Sequence, residues 1–220
     1  MEARIKHSEL SQVCNTIAQR TGILIQDHQY DDLKTYLIEH VVKKNNTITK
    51  FIEQLKCSPI HSKQLEGLIS SVTIGESYFF RDVNQCEYLQ QQYLPALIAA
   101  KRAPQDKSSR IRSAGCSSGQ EIYTVAIMLA ELISDVDQWS IYLQGTDINI
   151  AVIASAIRGE YTSWSMRNID DHIVDKYFTK KNQNYLIDEK IKAMVNFTYH
   201  NLADDNYPSV LNGTAGLDLI

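Results

Sequence analysis

The chain has 220 residues, 44% of them hydrophobic, enough to bury a real core in one large domain or two small ones. Its formal net charge of −4 is unevenly placed: residues 1–70 carry nine Lys/Arg against eight Asp/Glu and the remainder thirteen against eighteen, which makes nucleic acid a poor partner for the larger part. No run of 18 apolar residues occurs, and Glu2, Arg4, Lys6 and Glu9 fill a start with no apolar h-region, so neither a membrane span nor a secretory signal is expected and the protein is predicted to be cytoplasmic.

Leu10, Val13, Cys14 and Ile17 fall at helical spacing, and Tyr30, Leu33, Leu37 and Val41 repeat it, which predicts two amphipathic helices split by Thr21-Gly22. A third helix follows around Phe51 to Leu55, and Leu65, Leu68 and Ile69 begin another that ends near Ser71. Residues 1–71 therefore read as a helical N-terminal domain with no catalytic cluster, suited to docking or to covering a site. Lys43, Lys44 and Lys50 could meet an acidic protein surface or simply form a solvated helix face. Cys14, Cys57, Cys86 and Cys116 are far apart, form no CxxC pair and have no histidine at metal-ligand spacing, so reduced thiols are expected, with neither zinc nor disulfides.

From Arg110 short apolar runs alternate with helical ones: a strand at Ile111 to Ala114, a helix at Gln120 to Ile133, a strand at Ile141 to Gly145, and a helix at Ile150 to Ile157 stopped by Gly159. This order predicts a parallel sheet covered by helices, and the first of those helices is apolar on most sides. Residues 161–189 are polar and irregular, with a turn at Asn182-Gln183-Asn184 before Tyr185 to Ile187, which suggests a small inserted antiparallel hairpin region. Further strands are predicted at Val195 to Tyr199 and Leu217 to Ile220.

The strongest local signal is the small-residue loop Ala114 to Glu121, after a strand and before a helix, where backbone can approach a ligand closely and helix N–H groups face the crevice above the strand ends. A phosphate-binding loop would need Lys-Ser/Thr after its second glycine, but Gln120-Glu121 stands there, and no G-x-G-x-x-G begins at Gly115, which sets aside nucleotide hydrolysis and an ordinary dinucleotide oxidoreductase. Glu121 suits a cationic or hydroxyl-bearing ligand, or serves only as a first-turn acid favoured by the helix dipole. Asp147 ends the second strand, 32 residues beyond Gly115, where an acid can accept from both ribose hydroxyls; it also directly precedes a helical stretch and could be its N-cap. Together these features describe a nucleoside site without phosphate-binding side chains, and S-adenosylmethionine is the common cofactor of that kind.

Thr73 to Asp82 (TIGESYFFRD), Ser113 to Thr124 (SAGCSSGQEIYT), Gly145 to Ile148 (GTDI), Arg158 to Tyr161 (RGEY), Tyr177-Phe178, Val195 to Phe197 with His200 to Leu202, and the final LDLI follow one another as a set. In order and spacing the chain resembles the chemotaxis-receptor glutamate methyltransferases of the CheR type from about Thr21 to Ile220. The resemblance implies an all-helical N-terminal domain and a Rossmann-like class I methyltransferase domain, incomplete here, with a small inserted antiparallel β subdomain at about 161–192. Its boundaries are 1–71, a linker and helix at 72–109 contributing to the cofactor site, and 110–220. It implies S-adenosylmethionine as cofactor and S-adenosylhomocysteine as product, held by Gly75, Ser77, Arg81, Gly115, Glu121, Asp147, Asn201 and Leu202. Arg81 would pair with the methionine carboxylate and is the only residue with a possible catalytic part, whereas Phe79 and Phe80 read as core.

The reaction implied is methyl-ester formation on glutamates of chemoreceptor cytoplasmic helices by a monomer that does not insert in the membrane. A carboxylate is already a nucleophile at neutral pH, so no general base is needed, and neither His172 nor His200 is expected to act directly. Gly75 replaces an asparagine frequent in the family, Gln120 the first acid of its GEE motif, and Ile122-Tyr123-Thr124 its PYS. Family members continue beyond the strand matching LDLI, so a chain of these 220 residues is expected to have little or no turnover. A non-catalytic module that binds S-adenosylmethionine or its product, or docks to the receptor, is the alternative reading.

Overall fold

The computed structural model describes residues 5–73 and 75–220. Glu2 and Arg4 of the charged start and Ile74 of the TIGESYFFRD segment lie outside the described residues. The chain divides into two compact units, Met1–Ile74 and Gly75–Ile220.

In the first unit α1 (His7–Thr21), α2 (Tyr30–His40), α3 (Ile48–Cys57) and α4 (Lys63–Val72) follow the predicted apolar stripes, with Leu10, Val13, Ile17, Leu33, Leu37, Phe51, Leu55, Leu65 and Leu68 buried. Local chemistry sets the helix ends. Thr47 and Ser62 accept from the backbone of Lys50 and Leu65 at the starts of α3 and α4, and Gly22 takes the left-handed conformation that stops α1. Arg20 on α1 donates to the carbonyls of Leu55, Lys56 and Ser58, which ties the end of α3 to α1. Of the three lysines singled out on this unit, Lys43 pairs with Glu39 one turn earlier.

The second unit opens with α5 (Val83–Tyr88), which runs through a π turn at Leu89–Tyr93 into α6 (Leu94–Arg102). There follow β1 (Ser108–Ala114), α7 (Gln120–Leu132), β2 (Ser140–Asp147), α8 (Ile150–Arg158), β3 (Glu160–Thr162), α9 (Asp171–Tyr177), β4 (Phe178–Lys181), β5 (Asn184–Ile187), α10 (Glu189–Ala193) and β6 (Val195–Tyr199). Strands β1, β2 and β6 form a parallel sheet in the order β1-β2-β6, with Ile111 opposite Leu143 and Leu143 opposite Val195. Strands β3, β5 and β4 form a separate antiparallel sheet, its hairpin turning at Asn182 and Gln183 with Asn182 left-handed. Helix α7 buries Ile122, Tyr123, Ala126, Ile127 and Leu129 in the same core as Ile111 and Leu143. Phe79 is fully buried there, edge-on to Tyr161 and Phe178, as read from the sequence; Phe80 is only half-buried and has a left-handed backbone.

Two local expectations change. The Leu217 to Ile220 strand is reduced to one bridge, Leu219 beside Ile111: the Asp218 carboxylate takes the Arg110 N–H at 2.9 Å, so a side chain occupies a donor that a longer ladder would use. The 161–189 stretch contains, besides its hairpin, the helix α9, which buries only Ile173 and Tyr177 and is too short to show a period.

Candidate functional site

Strand β1 ends where the Ala114–Glu121 loop begins, and the loop is tied to the end of β2: the N–H groups of Gly115 and Cys116 both donate to the Thr146 carbonyl, at 2.8 and 2.9 Å. Gly115 has φ +80, and a Cβ added to it would meet nothing within 4 Å, so its surface faces open space that any side chain would invade. Gly119 is glycine for a different reason. At φ +90, a Cβ there would come within 2.9 Å of the Phe197 ring and 3.0 Å of the Ala156 methyl, so it sets how closely α7 packs on β6 and α8.

The Asp147 carboxylate spans the mouth of this loop, with Oδ2 accepting from Ser117 N at 2.9 Å and Oδ1 from Asn149 N at 2.8 Å. The helix-cap role falls instead to Asn149, whose side chain accepts from Ala151 N at 3.0 Å. Each carboxylate oxygen can accept a further bond, so the bracing of Asp147 leaves acceptor capacity toward the crevice. Glu121, in the first turn of α7, is exposed, and its Oε1 accepts from Ser113 Oγ at 2.6 Å. Gln120 is only 2% exposed, its Oε1 accepting from Ser118 Oγ, so this departure from the family pattern lies inside the loop and not on its open face.

The acids set the local potential. Burial above all, then the Asp147 and Glu121 carboxylates, push the Cys116 thiol up to about 12, and burial with Asp82 and Glu121 pushes Cys86 to about 11. No Lys or Arg stands in the loop. A site with this field favours a cationic ligand such as a sulfonium or ammonium group and disfavours a polyphosphate.

The segment from Gly75 onward meets the loop where Ser117 Oγ donates to the Gly75 carbonyl at 2.9 Å. A Cβ on Gly75 would make only ordinary contacts, 3.6 Å to Val152 and 3.8 Å to Ser117 Oγ, so the backbone would accept the asparagine common in the family. Ser77 is half-buried, and the chain beyond it is pinned by Phe79 N to the Ser165 carbonyl and Phe80 N to Thr124 Oγ1. Arg81 is exposed and donates to the Glu76 carbonyl at 3.0 Å. Asn201 is buried and spends its side chain on its own turn, accepting from Ala203 N and donating to Asp204, while Leu202 is 48% exposed. Gly75, Gly115, Ser117 and Asp147 thus converge on the strand ends. Glu121 joins through Ser113, and Asn201 lies one residue beyond His200, whose N–H bonds the Asp147 carbonyl.

Sequence reasoning missed Ser113, Ser117 and a buried network behind the loop. Ser117 holds φ 50, its N–H serving Asp147 and its hydroxyl Gly75; only the small-residue character of the loop hinted at it. Arg112 is buried and donates to Thr146 Oγ1 and His200 Nδ1, while His200 Nε2 meets Asn206 Oδ1 at 2.9 Å. Arg112 can only donate, so His200 Nδ1 is the acceptor of that contact and Nε2 is left facing the Asn206 side-chain oxygen. His172 is exposed. Among the described residues no group of three or more His, Cys, Asp or Glu could hold a metal ion, and all four cysteines are free. A separate cavity of about 600 Å³, lined by Trp139, Tyr177 and Met194 among others, contains none of the predicted site residues.

The geometry agrees with comparisons to known proteins. Residues 75–213 match the family described as CheR methyltransferase, SAM binding domain. A chemotaxis protein methyltransferase of Borreliella burgdorferi is 28% identical over 94% of this chain and 74% of its own length. One from Listeria monocytogenes is 30% identical over 90% of this chain and 70% of its own, and chemotaxis protein methyltransferase 2 of Vibrio cholerae is 26% identical over 84% and 63%. The match begins at the residue whose carbonyl meets Ser117 and takes in the cradle and both acids, so the chain belongs to the CheR methyltransferase family, and its α/β unit carries that family's S-adenosylmethionine-binding domain.

Proposed function

We propose that this methyltransferase esterifies glutamate side chains on chemoreceptor cytoplasmic helices, working as a monomer in the cytoplasm. The observation that carries the reading is the open cradle at Gly115 with the Asp147 carboxylate braced across its mouth. Asp147 accepts from the ribose hydroxyls with its remaining lone pairs, Glu121 supplies negative charge for the ammonium group, and Gly115 with Ser117 presents backbone to the ligand. Gly75, Ser77 and Arg81 close the opposite side, Arg81 releasing the Glu76 carbonyl to pair with the ligand carboxylate. Asn201 and Leu202 shape the adenosine end, Leu202 by exposed apolar surface and Asn201 by fixing its turn.

When bound, S-adenosylmethionine supplies an electrophilic methyl group on a sulfonium. Transfer of that methyl to an acceptor carboxylate would leave a neutral ester and a neutral thioether, so no residue of this chain would have to move a proton. The protein's task is therefore alignment and exclusion of water. That accords with a site whose nearby histidine is locked between Arg112 and Asn206 and whose nearby thiol is held protonated. Calorimetry should show S-adenosylhomocysteine binding more tightly than ATP, and radiolabelled methyl should pass from S-adenosylmethionine to receptor cytoplasmic fragments. ATP binding as tight as S-adenosylhomocysteine, or no transfer, would overturn the reading.

A further inference from the structure

One set of side chains beside the cofactor cradle, centred on Arg167, is not used in the function proposed above. Arg167 lies with its guanidinium carbon 3.3 Å from the centroid of the Tyr78 ring and 4.1 Å from that of Trp164. Its Nη1 donates to the Trp164 carbonyl at 2.6 Å, and Nη2 reaches a Glu76 carboxylate oxygen only at 3.4 Å. The cluster adjoins the cradle through one residue: Glu76 follows Gly75, whose carbonyl receives Ser117 Oγ.

Three features single it out. Trp164 is 63% exposed on a short turn, so the ring that holds one face of the guanidinium is itself open to an arriving partner. A guanidinium fixed on two aromatic faces has its planar fork set in advance, so little side-chain freedom remains to be lost when a carboxylate arrives. Its acidic partner is loosely held, beyond the 2.7–2.9 Å usual for a charge-assisted bond, with the Glu76 side chain 54% exposed. Of five guanidinium N–H groups, two have partners in these contacts.

We propose that Arg167, clamped between Tyr78 and Trp164, is a substrate-binding residue that receives a carboxylate of the acidic acceptor segment, with Glu76 holding its place until the acceptor arrives. The identity of the acceptor rests on the function proposed above; the carboxylate dock is read from the cluster. Its part is to recognise and orient the acceptor, so substitutions here act on acceptor KM more than on kcat.

The test uses the full chain and two synthetic helical peptides of one sequence, one carrying glutamates and the other glutamines at the same positions. Wild type is expected to prefer the glutamate peptide. Arg167→Gln should weaken that binding by about tenfold and abolish the preference, in line with loss of a charged hydrogen bond. Arg167→Lys should recover part of the affinity, and Trp164→Ala, at an exposed position that does not threaten the fold, should weaken it as well. Affinity for S-adenosylhomocysteine, measured in parallel, should not move. Unchanged peptide affinity in Arg167→Gln and Trp164→Ala, equal binding of both peptides by wild type, or no binding of either overturns the dock. Failure of wild type to bind S-adenosylhomocysteine would instead strike the family-based function, and the two failures are read from separate titrations.

Discussion

The two faces of the parallel sheet are held by different physics. Toward α7, Ile111 and Leu143 disappear into an apolar core with Ile122, Tyr123 and Ile127, so this side is stabilised by buried area and close packing. The other face presents Arg110, Arg112, Tyr142, Gln144 and Thr146. Arg110 lies 4.6 Å over the Tyr142 ring, Arg112 bonds Thr146 and His200, and Gln144 donates to the Asn212 carbonyl at 2.9 Å. That side is stabilised by directional bonds, which are worth little in excess of water but costly to leave unmade. Asp147 ends the central strand where both regimes meet, so the crevice inherits stiffness from one face and polarity from the other.

The largest expected effect is on the apolar face. Leu143→Ala removes a fully buried side chain from the central strand and should cost about 2–5 kcal/mol of unfolding free energy, measured by urea titration. A loss under about 1 kcal/mol would mean that this side collapses around cavities and is not close-packed in the way described.

Next comes the residue at the join. Asp147→Ala leaves Ser117 N and Asn149 N without their acceptor and removes the proposed ribose contact, so affinity for S-adenosylhomocysteine should fall by about 1–3 kcal/mol in calorimetry. Unchanged affinity would confine Asp147 to bracing the loop.

On the polar face the effect should be smaller. Arg112→Met deprives Thr146 and His200 of a donor but also removes a buried cation that no carboxylate pairs among the described contacts, and burial already disfavours its charged form. The two consequences oppose each other, and a net loss of about 1–2 kcal/mol in the same urea titration is expected. A loss matching Leu143→Ala would show that directional bonding here carries as much of the fold as the core does.

The same contrast explains what could be read from the sequence. The stripe Leu10, Val13, Ile17, the nearly all-apolar α7 and the runs at Ile111 and Ile141 announce helices and strands because burial leaves a period. The fold was legible for that reason, as was the loop, because Gly115 and Gly119 mark a left-handed backbone that other residues rarely adopt. Arg112, Ser113 and Ser117 were not legible: their roles depend on partners 34, 8 and 30 residues away, and no local pattern encodes a hydrogen bond across such a gap. Arg167 was invisible for a related reason, since its neighbours Tyr78 and Glu76 lie some 90 residues earlier. The Leu217 to Ile220 run misled because apolarity suggested a strand while Asp218 within it bonds through its side chain.

The smallest effect is chemical and not energetic, and it tests the electrostatics of the crevice. Cys57 is exposed on α3, whereas Cys116 is buried in the loop beside Asp147 and Glu121 with its thiol pushed up to about 12 from an ordinary 9.0. The thiolate is the reactive form, so at pH 8 only about one Cys116 in ten thousand is ionised, by the factor of ten per pH unit. Iodoacetamide at pH 8, followed by peptide mass mapping, should therefore label Cys57 quickly and Cys116 hardly at all until the chain unfolds. The pH dependence has a definite sign. A thiol whose value is raised in the folded state holds its proton more tightly there than in the unfolded chain, so the associated stability is intact below pH 9 and is lost as the pH climbs toward 12. Cys86, raised to about 11, adds to that alkaline loss, and thermal melts should decline from pH 9 upward with no matching step between pH 6 and 8 from either thiol. Substituting Asp147→Asn should then speed Cys116 labelling at pH 9 without exposing the residue, because it removes one of the charges that oppose ionisation while burial, the larger cause, remains. Labelling of Cys116 in the native wild type as fast as that of Cys57 would show that the loop opens readily and that the carboxylates do not set its potential.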